Sequence, residues 1–353
     1  MNDWLIYRGK RMPHDEIGRL PAPPSWRTFH GGPLVDPPSE QDVSLERRLG
    51  ALSRATTYRA SDDEVDLVNA ALYLRRPLLV TGKPGTGKST LAYSVAYELG
   101  LGNVLKWPIT SRSARDEGLC LYDAIARLQD ASRVAQGDRQ RRDVAGPNAD
   151  GAHFRSGRGS VDQQDIGAYI RLGPLGTALL PYQRPRVLLI DELDKSDIDL
   201  PNDLLTIFED GQYEVRELFR IADQLPEATV RTHDGDRVVI HRGLVQCNAF
   251  PLVIITSNGE RDFPPAFMRR CLKLHIDVPG PKRLLEIVEA HLGPEKAEQS
   301  KNMVEKFIEL RDGGELATDQ LLNAIYLMFN EAWPEGKGGL VEKVLHYIDR
   351  NAG

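Results

Sequence analysis

Three stretches of the chain are apolar at every position, and each ends in small or charged residues. Leu78-Leu-Val runs into a glycine-rich segment, Val187-Leu-Leu-Ile190 into two carboxylates, and Leu252-Val-Ile-Ile255 into Thr-Ser-Asn258. A continuous run, as opposed to an alternating one, suits a parallel strand covered on both faces. A further strand is expected near residues 104–110. Helical spacing places Val65, Val68 and Leu72 on one face of residues 62–74, and Leu91, Val95 and Leu99 on one face after the glycine segment. Residues 122–133 also read as a helix, with Ile125 and Leu128 apolar. Residues 228–242 alternate around Asp234-Gly235, the pattern of a β-hairpin. Beyond Pro279 the signal is wholly helical. Leu284, Leu285, Ile287, Val288 and Leu292 form one stripe, and Leu321, Leu322, Ile325, Met328, Phe329 and Trp333 another, with Thr318 placed as N-cap. The fold class expected is α/β, a parallel-sheet sandwich with a small C-terminal helical unit.

These patterns divide the chain at about residues 55 and 278. Residues 1–55 hold Pro13, Pro21, Pro23, Pro24, Pro33, Pro37 and Pro38, a density that favours an extended arm over a packed domain. Trp4, Tyr7, Trp26 and Phe29 are apolar anchors in that arm, and two readings stay open: it packs on its own body, or on a neighbouring molecule. Residues 56–278 form the α/β domain and 279–353 the helical unit, joined at Val278-Pro-Gly-Pro281. Residues 136–167 interrupt the α/β domain with Gly, Asp and five arginines and almost no large apolar residue. Loops of this length are functional or disordered.

With 353 residues the chain is long enough for two or more domains. It has no apolar run of membrane-spanning length, and its first residues, Met1-Asn-Asp-Trp-Leu-Ile-Tyr-Arg8, lack the apolar core of a secretion signal. A soluble, cytoplasmic protein is expected. Cys120, Cys247 and Cys271 have neither paired nor metal-site spacing and read as reduced thiols. A net charge of −6 argues against a general grip on nucleic acid.

The chemistry lies at the ends of the three apolar runs. Leu78-Leu-Val-Thr-Gly-Lys-Pro-Gly-Thr-Gly-Lys-Ser-Thr90 satisfies the phosphate-loop spacing with Gly82, Gly87, Lys88 and Ser89. Gly82, Gly85 and Gly87 let the loop through Lys83, Pro84 and Thr86 turn its backbone N–H groups, which Pro84 alone lacks, toward a phosphate chain. Lys88 would reach the terminal phosphates, Ser89 would ligate Mg²⁺, and the helix opening near Thr90 would turn its positive end to the same anion. Asp191 and Glu192 follow the second run, at the strand end where ligands collect in an open α/β sheet. Asp191 suits the Mg²⁺ water shell, and Glu192 suits orienting or deprotonating a water. Asn258 is placed to bond that water or the γ-phosphate. Phe263-Pro-Pro-Ala-Phe-Met-Arg-Arg-Cys271 is a short proline-started helix ending in Arg269 and Arg270, whose guanidinium groups suit transition-state phosphoryl oxygens.

In this order the motifs resemble AAA+ ATPases. Within them the chain is most similar to the MoxR group, through Leu172-Gly-Pro-Leu175, Asp191-Glu-Leu-Asp-Lys-Ser196 and Leu204-Leu-Thr-Ile-Phe-Glu209. The resemblance spans about residues 56–350. It implies that Asp191 and Glu192 are the Walker B pair and Asn258 sensor 1. It implies that Arg270, or alternatively Arg269, is an arginine finger acting on a neighbouring subunit. It also implies ATP as nucleotide, a lid formed by residues 279–353, and a homo-oligomeric, hexameric ring acting on a protein partner. The insert at 136–167 and the hairpin at 228–242 would face the ring pore. The chain departs from the family at the lid: Leu316-Ala-Thr-Asp-Gln-Leu-Leu322 carries Asp319 or Gln320 where an arginine is usual. The expected function is Mg²⁺-dependent ATP hydrolysis that remodels or chaperones a protein partner. The alternatives are a nucleotide-gated scaffold or switch with little turnover, a nucleic-acid motor (disfavoured by charge), and a small-molecule kinase.

Overall fold

The computed structural model describes residues 4–36, 52, 54–130, 132–133, 166–311 and 316–329. The insert from 136 through 165, arm residues 37–51 and Trp333 lie outside the described residues.

Five parallel strands form the central sheet in the order β11-β1-β10-β5-β2. They are β1 (Leu78–Thr81), β2 (Leu105–Pro108), β5 (Val187–Asp191), β10 (Leu252–Ser257) and β11 (Leu272–His275). Leu78 registers with Ile254 on one side and Leu272 on the other, and Leu252 registers with Val187. The apolar runs are continuous because both faces are covered. Leu78, Val80, Val187, Leu189 and Ile254 pack under α1 (Asp62–Leu74) and α2 (Lys88–Glu98). Leu79, Leu188, Ile190, Val253 and Ile255 face the opposite core. Alternate side chains of each strand enter different layers, as the two-residue period requires.

That opposite core also contains a second sheet, in the order β3-β4-β7-β8-β9-β6. It comprises β3 (Cys120–Tyr122), β4 (Ile170–Leu172), β6 (Gln212–Glu214), β7 (Glu227–Arg231), β8 (Arg237–His241) and β9 (Leu244–Gln246). Strands β7 and β8 form a hairpin with Val230 opposite Val238. Its turn is tied to the body: buried Arg186 donates to Asp234 and to the Asn103 carbonyl, both at 3.0 Å. Short helices α3 (Arg115–Leu119) and α4 (Pro174–Ala178), and the amphipathic α5 (Leu200–Asp210), complete this layer with α6 (Arg216–Phe219).

Helix α7 (Pro265–Met268) precedes β11, and among the described residues four helices follow it: α8 (Pro281–Leu292), α9 (Pro294–Gln299), α10 (Lys301–Arg311) and α11 (Thr318–Met328). They enclose their own core of Leu284, Val288, Val304, Phe307, Leu321 and Ile325. Thr318 is not the N-cap of α11; Ala317 is, and its N–H donates to the Gln320 side chain at 3.0 Å. The reversed contact, side chain to cap backbone, makes a capping hydroxyl unnecessary there. Among the described residues no helix is long and apolar enough to cross a membrane.

The arm packs on its own body. Ile6 and Tyr7 are buried, and both their N–H groups donate to Asn69 Oδ1, at 2.7 and 3.0 Å. Asn69 Nδ2 returns two bonds, to the carbonyls of Tyr7 and Val65. Fully buried Glu98 accepts from the N–H groups of Arg8 and Arg11 at 2.6 and 2.7 Å. Farther along, Arg27 lies against the stacked rings of Phe29 and Phe250 and donates to the carbonyls of Phe208 and Arg75. Tyr7 and Phe29 are therefore anchors, whereas Trp26 is 75% exposed and Trp4 only edges Tyr73. Asn69→Ala should cost about 3 kcal/mol, because two buried N–H groups and a carbonyl lose their partner together. Urea unfolding checks it, and a change below about 0.5 kcal/mol would show that the arm contributes little to stability.

Candidate functional site

The glycine-rich loop lies between β1 and α2, at the carboxyl edge of the sheet. Gly82, Gly85 and Gly87 have φ of 148°, 75° and 92°. Side chains are disfavoured there twice over: a Cβ on Gly82 would meet the Ile276 carbonyl at 2.4 Å, and one on Gly85 would meet Ala317 at 2.6 Å. Lys88, buried in the first turn of α2, donates to the carbonyls of Gly82 and Lys83 at 2.7 and 2.8 Å. Burial holds its pKa below the ordinary lysine value, against the pull of Asp194, Glu192 and Asp191. Thr86 donates to the Lys83 carbonyl, Lys83 and Pro84 are exposed, and the Thr90 N–H bonds Gly87.

Ser89 follows Lys88, and its hydroxyl donates to Asp191 Oδ1 at 2.6 Å. The parallel register makes this possible: β1 and β5 both flank β10, so their carboxyl ends lie on one edge. Thr256 on β10 donates to the same oxygen at 2.9 Å and accepts the Glu192 N–H at 2.8 Å. Lys106 on β2 pairs with the other oxygen, Oδ2, at 2.6 Å. Burial pushes the Asp191 pKa up, but the hydrogen bonds from Lys106, Ser89 and Thr256 outweigh it and leave the carboxyl below its ordinary range.

Glu192 adopts the left-handed conformation, with φ 62° and ψ 52°. Its Oε1 accepts from Asn258 Nδ2 at 3.3 Å and its Oε2 pairs with Lys195 at 2.8 Å. The hydrogen bond to Glu192 raises the pKa of Lys195. Buried Asp194 positions Asn258 from behind: its Oδ2 accepts the N–H groups of Asn258 and Glu260 at 2.9 and 3.1 Å, while Oδ1 has no partner among the described residues.

The structure thus brings Lys88, Ser89, Asp191, Glu192 and Asn258 together. It does not bring Arg269 or Arg270 to them. Arg270 pairs with Glu209 on α5, and exposed Arg269 makes no side-chain hydrogen bond or ion pair with described residues. A cavity of about 410 Å³ lies between loop residues 83–86 and Val278, Pro279, Arg311 and Ala317. Arg311, at the end of α10, donates to the Pro279 carbonyl at 2.8 Å. Gln320 is instead buried at the α11 cap and Asp319 is exposed, so the cation that the helical unit brings to this cavity, Arg311, is one the sequence pattern did not single out. Lys106 also went unmarked; its signal was a cation interrupting the apolar positions Val104, Leu105 and Trp107.

The donor set suits Mg²⁺ in particular. One hydroxyl and one carboxylate are hard oxygen ligands, too few for a protein-only cage but sufficient beside phosphate oxygens and water. No group of three or more His, Cys, Asp or Glu residues forms a metal site among the described residues. The glycine cradle likewise fits a phosphate chain, because the backbone approaches where side chains would intrude.

Comparison with protein-family models and with curated proteins found no match to this chain.

Proposed function

We propose that this protein hydrolyses Mg²⁺-ATP as an AAA+ ATPase of the MoxR type, assembles into a ring, and acts on a protein partner. The observation that carries the chemistry is the 2.6 Å bond between Ser89 and Asp191, formed from a loop that also buries Lys88. Lys88 would hold the terminal phosphates, and Ser89 with Asp191 would hold the metal's coordination sphere. The metal would neutralise charge on the phosphate oxygens. Glu192 takes the proton of the attacking water, and Asn258 fixes the carboxylate that does so. The helical unit from Pro281 would act as a lid, since the cavity beside the loop is closed by Pro279, Arg311 and Ala317. Ring assembly and a protein client rest on the sequence resemblance, supported by Arg270 pairing with Glu209 instead of with a residue of its own chain's site.

One observation favours a second reading, a nucleotide-gated switch of low turnover. Lys195 occupies Glu192 Oε2 at 2.8 Å, so that oxygen meets a water only when the pair opens.

Lys88→Ala is expected to weaken binding of a fluorescent ATP analogue by tenfold or more, since the cation at the phosphates is lost. An unsubstituted protein that binds no ATP in Mg²⁺ would end the ATPase and switch readings together. Tight binding with no phosphate release, alone or with a partner, would select the switch.

A further inference from the structure

Asp191 has two oxygens, and they are used differently. Oδ1 is saturated by two hydroxyls of the same chain, those of Ser89 and Thr256. Oδ2 is bound by a cation, Lys106 Nζ, at 2.6 Å. Lys106 is held in place by the backbone: β2 registers Pro108 beside Asp191, and the Ile109 N–H donates to the Asp191 carbonyl at 3.0 Å. Leu105 and Trp107 are buried on the other side of the pleat, so the strand turns Lys106 toward the carboxylate. The ammonium is 40% exposed in its side chain and has four carbons of reach, which lets it leave without moving the strand.

We propose that Lys106 is a built-in counter-ion of the metal site. It neutralises Asp191 when no metal is bound and is displaced from Oδ2 when Mg²⁺ arrives with a nucleotide, so metal entry is a cation exchange. A divalent ion and an ammonium cannot crowd one carboxylate oxygen without strong mutual repulsion, and the compact, strongly hydrated lysine head is the partner that can return to water. The exchange has two consequences: the empty site keeps its folded geometry, and the site demands more Mg²⁺ than an unguarded Asp191 would. This inference rests on the Mg²⁺-ATP reading above.

The test uses the full chain and the variants Lys106→Gln and Lys106→Arg. Two quantities are measured: the melting temperature without nucleotide in a chelator, and the Mg²⁺ concentration that half-saturates binding of a fluorescent ATP analogue. Lys106→Gln should lower the half-saturating Mg²⁺ about fivefold, the upper range for a half-exposed ion pair, and lower the chelator-state melting temperature by about 2 °C. Lys106→Arg, which keeps the charge, should not lower the half-saturating Mg²⁺ and should hold the chelator-state melting temperature. An unchanged Mg²⁺ dependence in Lys106→Gln overturns the exchange. So does a raised Mg²⁺ requirement with weaker nucleotide binding, which would make Lys106 a phosphate ligand. If the unsubstituted protein binds no nucleotide at any Mg²⁺ concentration, the ATP reading itself falls; if it binds and Lys106→Gln matches it, only the exchange falls.

Discussion

Glu192→Gln is expected to retain Mg²⁺-ATP binding and to lose turnover by two orders of magnitude or more, the usual scale for removing a water-activating group. The substitution is clean because the bonds that tie the residue to β10 and Asn258 do not need the carboxylate's charge. The bond that fixes the residue to β10 runs from the Glu192 backbone N–H to Thr256, and a glutamine keeps it. An amide oxygen can still accept from Asn258 Nδ2, where Oε1 accepts now at 3.3 Å. What disappears is the basic oxygen and the pairing with Lys195. Phosphate release gives the rate, and a fluorescent analogue gives the affinity. Hydrolysis at the unsubstituted rate would remove Glu192 from the mechanism. Loss of binding would mean that the residue holds the site together instead of activating water.

On the proposed function, Arg270→Ala should cripple hydrolysis by about 10³-fold or more with little change in ATP affinity, as loss of a trans-acting arginine does in P-loop enzymes. The geometry supports a role on a neighbour's site, since both arginines are absent from the group formed by Lys88, Ser89, Asp191, Glu192 and Asn258. Heterologous contacts of this sort close into rings when the rotation permits. Glu209 holds Arg270, but an exposed pair of this kind contributes only about 0.2–1 kcal/mol, so release toward a partner is easily offset. Arg269, with no side-chain partner among the described residues, needs no release from them, and Arg269→Ala decides which of the two acts. Mixing Arg270→Ala with Lys88→Ala subunits should restore partial activity, because an intact loop then receives an intact arginine. Two inactive variants that never complement, or a monomer hydrolysing ATP at full rate, would sink the trans arrangement.

The parts of the fold visible in sequence were those with strong local signals. Strands β1, β5 and β10 are legible because double burial makes every position apolar, and α1 because its stripe of Val65, Val68 and Leu72 keeps a helical period. The second sheet was legible only at its hairpin. Its other strands, such as Gln212–Glu214 and Leu244–Gln246, are three residues long, too short for alternation to register. The site divides in the same way. Ser89, Asp191 and Asn258 sit in compact motifs, whereas Lys106, Arg311 and Asp194 act through register and packing between segments far apart in the chain. Asn69 and Glu98 give no sequence signal at all, since a polar residue on a helix reads as solvated until something is known to lie over it. Thr318 shows the reverse error: a good capping residue stood one position too late.

Glu192 is in a backbone conformation that L-residues with a Cβ adopt at a cost of order 1–3 kcal/mol, and that glycine or asparagine takes far more readily. The residue that would make this turn most comfortable is therefore one that has no basic oxygen to offer. Stability and chemistry pull in opposite directions at a single position, a trade-off set by the turn that aims the carboxylate at the edge of the sheet. A stability-guided redesign of this chain would mark position 192 as an early improvement, and on the proposed mechanism that change would harden the protein while removing its base.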